Sequence, residues 1–267
     1  MSGTLLQVDA VTCRFSGLVA IDDLSFVVAP GTVHALIGPN GAGKTTLFNV
    51  ISGLLKPNDG SIRYRDRDIT LLRPHARVAL GIGRTFQNLR VFGEMTVLEN
   101  VLSGRHARLE ASWAATVLRL SAARSEERAA VSRAHELLRI VKLEGQAEQV
   151  VSALSYGDQR RVEIARALAT DPTLLLLDEP AAGMNPTETA ALAELLQSLR
   201  GGGLTILLVE HDMNFVMALC DHLTVLNFGR KIAEGAPSEI RVHPDVIEAY
   251  LGGPHRVQIQ RNREGML

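Results

Sequence analysis

The sequence predicts an α/β fold built on a parallel sheet, and three observations carry that prediction. Short unbroken apolar runs at 33–37, 174–177 and 204–209 are bounded by glycine, proline or acid, the mark of strands buried on both faces. Helical stretches lie between them, the clearest at 187–200, rich in Ala, Leu and Glu. At 267 residues and 46% hydrophobic content, the chain can bury a sizeable core in one large domain or two small ones.

Taken in order, 5–28 alternates and lacks helix caps, so it reads as antiparallel strands. Strand 33–37 runs into Gly38, and a helical pattern follows at 46–52. From Thr96 to about Leu143 strand signal is scarce, which predicts a helical insert. Thr96 and Glu99 have capping-box spacing, and Ala130, Ala134, Leu137, Leu138 and Val141 recur at helical spacing. The helix over 187–200 has Asn185 as its cap, Pro186 in its first turn and Gly201 as its stop. Residues 223–226 and 231–233, joined through Asn227, Phe228 and Gly229, predict a hairpin. Past Leu251 the chain is polar and basic, a loosely held tail. There is no internal repeat.

Charge and cysteine content exclude several classes. With 28 Lys and Arg against 29 Asp and Glu, net charge is −1, so no basic excess drives binding to nucleic acid. Cys13 and Cys220 are the only cysteines, which argues against a disulfide scaffold or a cysteine zinc site and favours a reducing compartment. No charged segment followed by an apolar stretch opens the chain, so no signal peptide is expected. The apolar runs fall far short of the roughly 20 residues of a membrane span.

Gly38, Pro39, Asn40, Gly41, Ala42, Gly43, Lys44 and Thr45 match G-x-x-x-x-G-K-S/T at every position, between a strand and a helical pattern. Glycines let successive backbone N–H groups turn inward on an anion, and the helix start adds its positive dipole end. Lys44 supplies a point charge to the phosphates, and Thr45 a hydroxyl to Mg2+.

The run ending in Asp178 and Glu179 sets two carboxylates at a strand's carboxyl end, where open α/β sheets bind ligands. Alone, the pair reads equally well as a solvated strand cap. Beside the phosphate loop it reads as Asp178 on the metal and Glu179 as general base. Ser155 and Asp158 open another helix, and Gly157 in its first turn costs helix propensity while admitting a phosphate close to the backbone.

These segments, in this order, resemble the Walker A (38–45), signature (154–159) and Walker B (174–179) motifs of the ABC ATPases. Gln87, in Arg84-Thr85-Phe86-Gln87, resembles the Q-loop, His211 the switch histidine, and Phe15 the aromatic that stacks on adenine. The resemblance spans about 5–252. Tyr156 replaces the commonest second signature glycine, Asn185 stands where most members have Asp, and Phe15 replaces Tyr. With the segments 17–20, 84–92, 156–161 and 246–252, these departures resemble the ATPase subunits of branched-chain amino acid importers, the Liv type, and the longer helical stretch expected between Gln87 and Leu154 resembles the larger of that system's two ATPases.

The resemblance implies a P-loop NTPase, RecA-like core with an N-terminal antiparallel β-subdomain and a helical insert. It places an ABC ATPase domain at 1–252, a helical subdomain at about 96–170 and a tail at 253–267. It implies ATP and Mg2+ as cofactors, with ATP held by Phe15, the residues from Gly38 through Thr45, and Thr46, and with Ser155, Gly157 and Gln159 facing ATP on the opposite subunit. Thr45, Gln87 and Asp178 are the implied metal residues, and Lys44, Gln87, Glu179 and His211 the catalytic ones. Implied partners are membrane permease subunits, a second ATPase subunit of the same or a sister chain, and, indirectly, an extracellular or periplasmic solute-binding protein. The implied location is peripheral, on the cytoplasmic side of the inner or cell membrane. Related ATPases serve urea, amide or lipopolysaccharide traffic, and a non-transport ABC ATPase is the remaining alternative. A groove near 87–99 would receive a short helix of the permease.

Other residues carry less. The remaining seven histidines read as surface or satisfied core residues, and Arg160 and Arg161 as solvated helix residues. Phe15 by itself reads as core. Trp113 reads as packing or as part of a docking surface.

Overall fold

A computed structural model of the chain describes residues 3–85, 91–105 and 121–250, with side chains of 121–124 undescribed. Gln87, Trp113 and the 253–267 tail lie outside the described residues. In chain order the strands are β1 (Leu6–Phe15), β2 (Leu18–Val28), β3 (Val33–Ile37), β4 (Asp59–Tyr64), β5 (Arg67–Asp68), β6 (Ile82–Arg84), β7 (Leu174–Asp178), β8 (Thr205–Val209), β9 (His222–Asn227) and β10 (Arg230–Gly235). The helices are α1 (Lys44–Ile51), α2 (Pro74–Ala79), α3 (Val97–Arg105), α4 (Ser121–Ile140), α5 (Tyr156–Leu168), α6 (Pro186–Gly201), α7 (Met213–Leu219) and α8 (Pro237–Ile240).

The described chain divides into two compact units. One runs up to Leu71 and resumes at Leu207; the other is Leu72–Ile206. β8 carries the boundary between them.

In the first unit, β2-β1-β4-β5 form an antiparallel sheet, as the alternation at 5–28 predicts for its first two strands. Leu6, Val8, Val11, Ile21, Leu24 and Val28 are among its buried residues, and Asp9, Ala10, Asp23 and Val27 between them are exposed. β3 is buried along its whole length and pairs in parallel with β9, which pairs antiparallel with β10. The β9–β10 hairpin is the predicted one. Phe228 and Gly229 both take positive φ, 46° and 79°, as a tight hairpin turn requires. Phe228 there is 85% exposed.

The second unit sets β7 parallel to β6 and packs helices around them. Leu174, Leu175, Leu176 and Leu177 are fully buried, each worth about 2 kcal/mol of transfer free energy. α3 packs on α4 and α5. All five apolar positions at helical spacing, Ala130, Ala134, Leu137 and Leu138 on α4 and Val141 just past its end, are buried.

The caps behave as their spacing predicts. Glu99 N–H donates to Thr96 Oγ1 at 3.1 Å, and Thr96 N–H to Glu99 Oε2 at 2.8 Å. Asn185 and Glu188 make the same reciprocal pair ahead of α6, at 3.0 and 3.1 Å. Asn is as good an N-cap as Asp, so the departure at position 185 leaves this helix start intact. The first helix begins at Lys44 rather than position 46, because Gly43 in the left-handed region at φ 98° serves as its N-cap.

The expectation for Arg160 fails. Arg160 is not a solvated helix residue but is fully buried, paired at 2.8 Å with Glu163, itself 1% exposed. The helix faces inward on both flanks of that turn, and the carboxylate one turn along satisfies the charge. Arg161 is partly buried and pairs with Asp158 at 3.4 Å.

Candidate nucleotide site

β3 delivers the chain directly into the phosphate loop. Gly38 sits at φ 146°, and a Cβ there would lie 2.1 Å from the Leu226 carbonyl oxygen; at Gly43 it would meet the Ala20 carbonyl oxygen at 2.4 Å. Only glycine fits either place, so the loop's curl is built into the packing around it. Lys44 is 7% exposed, and its Nζ donates to the carbonyl oxygens of Gly38 at 2.6 Å and Pro39 at 2.9 Å. The cation is therefore folded back into the loop's own concavity. No side chain caps the start of α1, which leaves the dipole end to an external anion. Thr45 is exposed and Thr46 partly so.

Four further groups belong to this unit. Phe15 ends β1 with 44% of its surface exposed, so it is a presented ring and not core. His211 follows β8, with 59% of its side chain exposed, and its N–H donates to Glu210 Oε2 at 3.0 Å. Glu210 is buried beneath it with Oε2 3.7 Å from His211 Nδ1, a contact that sequence reasoning missed. Desolvation raises the Tyr250 phenol pKa, and a backbone hydrogen bond from Gly38 offsets part of that rise.

In the second unit, Asp178 ends β7 and is 2% exposed. Its Oδ2 receives Arg84 Nη2 at 3.3 Å, while its Oδ1 is buried without a hydrogen-bond partner. Desolvation raises the carboxyl's pKa and Glu179 adds to it; Arg84 chiefly, and Arg160 less, pull it down. Glu179 follows at φ 47°, a left-handed conformation that costs a non-glycine residue about 1 kcal/mol or more and collects at functional sites. That twist redirects Glu179 out of the strand's alternation.

Ser155 caps α5, accepting the Asp158 N–H at 3.2 Å, and Gln159 Nε2 donates to the Leu154 carbonyl at 3.0 Å. Gly157 has a local reason to be glycine: a Cβ there would sit 2.8 Å from Glu188 Oε1, which the α6 cap holds in place. The structure thus assembles Lys44 with its loop in one unit, and Asp178, Glu179, Ser155 and Gly157 in the other.

Each unit offers part of what a magnesium nucleotide needs: the first an uncapped helix start behind a glycine loop for phosphates, the second an orphaned buried carboxylate oxygen for a cation. A strand-fed glycine loop of this kind, with the lysine enclosed and a buried aspartate ending a parallel strand, defines a P-loop NTPase. The chain belongs to the ABC transporter family, whose model matches residues 21–182. A second model, for branched-chain amino acid ATP-binding cassette transporters, matches residues 230–256.

Curated relatives include the high-affinity branched-chain amino acid transport ATP-binding protein LivG of Salmonella typhimurium. It is 46% identical over 94% of this chain and 99% of its own. BraF of Pseudomonas aeruginosa, of the same description, is 45% identical at the same coverage. Among solved structures, an ATP-binding cassette of an ABC transporter in its ADP conformation superposes with a TM-score of 0.82 at 33% identity. It covers 94% of this chain and 99% of that one. Among the described residues no helix is long and apolar enough to cross a membrane.

Proposed function

We propose that this chain is the ATP-hydrolysing subunit of an importer of branched-chain amino acids. The observation that carries the reading is near end-to-end likeness to LivG, together with the branched-chain family model on 230–256. The chain works peripherally on the cytoplasmic face, bound to membrane permease subunits, with a solute-binding protein delivering cargo outside. The segment 96–170 and the exposed Phe92, Met95 and Val150 are its permease-facing part.

In this reading the 38–46 loop holds the phosphates of ATP, with Lys44 as its cation and Phe15 against adenine. Thr45, Gln87 and Asp178 hold Mg2+, which supplies charge neutralisation on the phosphates. Glu179 orients and deprotonates the attacking water, and His211, steered by buried Glu210, contacts the γ-phosphate. Ser155, Gly157 and Gln159 cover the ATP of a second ATPase subunit, so the γ-phosphate joins two subunits and its loss parts them. Catalysis is then mainly positioning and charge stabilisation.

Co-expression with candidate permease and solute-binding subunits tests this. Leucine, isoleucine or valine should stimulate ATP hydrolysis by the reconstituted complex. Stimulation by an unrelated solute alone would reassign the cargo.

A further inference from the structure

Tyr156, the residue that departs from the usual signature, does not project into the turn it belongs to. A Cβ on Gly183 would lie 3.4 Å from Tyr156 Cε1, so the ring rests on the loop that follows Glu179. Its hydroxyl accepts from Arg160 Nη2 at 3.2 Å, and the guanidinium carbon is 5.8 Å from the ring centroid. Arg160 Nη1 in turn donates to Glu163 Oε2 at 2.8 Å, with both side chains sealed from solvent. On the far side, Gly157 abuts Glu188, whose cap on Asn185 closes the same loop. The Arg160 charge also acts on Asp178.

A buried ion pair adds little stability over well-packed apolar residues, so stability alone gives no reason for charges here. What the pair does is geometric. The 179–185 loop begins at Glu179 in a left-handed conformation and ends in the Asn185 cap, and the signature turn meets the loop at Gly183 and its capping partner Glu188 in the first turn of α6.

We infer that Arg160 is a positioning residue: with Tyr156 and Glu163 it forms a buried strut that locks the turn bearing Ser155 and Gly157 to the loop starting at Glu179. The face a subunit offers to its partner's ATP is thereby set by its own acidic site. The inference rests on the reading above, that Ser155 and Gly157 serve the ATP of a second subunit.

The test uses the full chain carrying Glu179→Gln, with and without Tyr156→Phe. A second variant replaces the pair together, Arg160→Met with Glu163→Leu, so that no buried charge is orphaned. Magnesium–ATP affinity is read by calorimetry and ATP-dependent dimerisation, alone or with the sister subunit, by sedimentation. Each variant should bind ATP as the parent does yet need about tenfold more protein to dimerise, the size of one hydrogen bond to a charged group. Dimerisation at the parent's concentration overturns the strut, as does a matching loss of ATP affinity, which marks a general packing defect. A parent that never dimerises with ATP overturns the reading of the site, and the strut falls with it.

Discussion

Arg84 Nη2 lies 3.3 Å from Asp178 Oδ2, and the two side chains are 9% and 3% exposed, so this ion pair is buried. The arginine comes from the end of β6 and the aspartate from the end of β7, which ties adjacent strand ends at the acidic site. Removing one member strands the other's charge in low dielectric. Arg84→Met should destabilise the chain by about 3 kcal/mol in urea unfolding, in the range for breaking a buried pair. A change near zero would mean the carboxylate is solvated without its partner.

Lys44 is enclosed by the loop whose carbonyl oxygens it bonds, so its charge is already at the anion's place. Lys44→Ala should weaken magnesium–ATP binding at least tenfold by calorimetry, on the order of one or two charge-assisted hydrogen bonds. Undiminished affinity would remove the phosphate role from this loop.

The exposed apolar face beside the insert gives a transport prediction. Phe92, Met95 and Val150 are 51%, 42% and 39% exposed, next to exposed Glu94 and partly exposed Leu98. Glu94→Ala or Leu98→Ala should uncouple transport from hydrolysis while ATP binding persists. Transport in vesicles at the unaltered rate would place the permease contact elsewhere.

His34 predicts an acid limb. Burial, then the charges of His222 and Lys231, lower its pKa from 6.5 to about 3, and its Nε2 lies 2.9 Å from Thr224 Oγ1. Below pH 6.5 the unfolded chain takes up a proton that the folded chain refuses, so stability falls as pH drops from 6.5 towards 3. Between pH 6.5 and 5 the loss from this residue is about 2 kcal/mol. His34→Gln should flatten that part of the stability–pH curve; an unchanged slope would contradict the assignment.

The elements that sequence alone reveals are those with strong local causes. β3, β7 and β8 are fully buried apolar runs, and α6 carries its cap, its proline and its stop. The phosphate loop is legible because its chemistry and its backbone conformation both demand glycine. β4, β5, β6, α2, α7 and α8 have weaker signals: short, half-exposed, or dependent on a partner strand distant in sequence. Arg160 reads as solvated in the sequence for a physical reason. A charge on a helix implies solvent unless its partner is seen, and the signal was Glu163 three residues on, with Tyr156 four residues back. Glu210 and Arg84 escaped similarly, since burial of a strand-end charge is decided by tertiary contacts.

The direct test of the account is phosphate release at saturating magnesium–ATP, compared between the unaltered chain and Glu179→Gln, with ATP binding measured on the same samples. If Glu179 activates the water, the first should turn over steadily. The second should bind ATP as tightly and release phosphate at least about 100-fold more slowly, the scale of a lost general base. Equal release from both would contradict the assignment of Glu179 and the hydrolytic mechanism built on it.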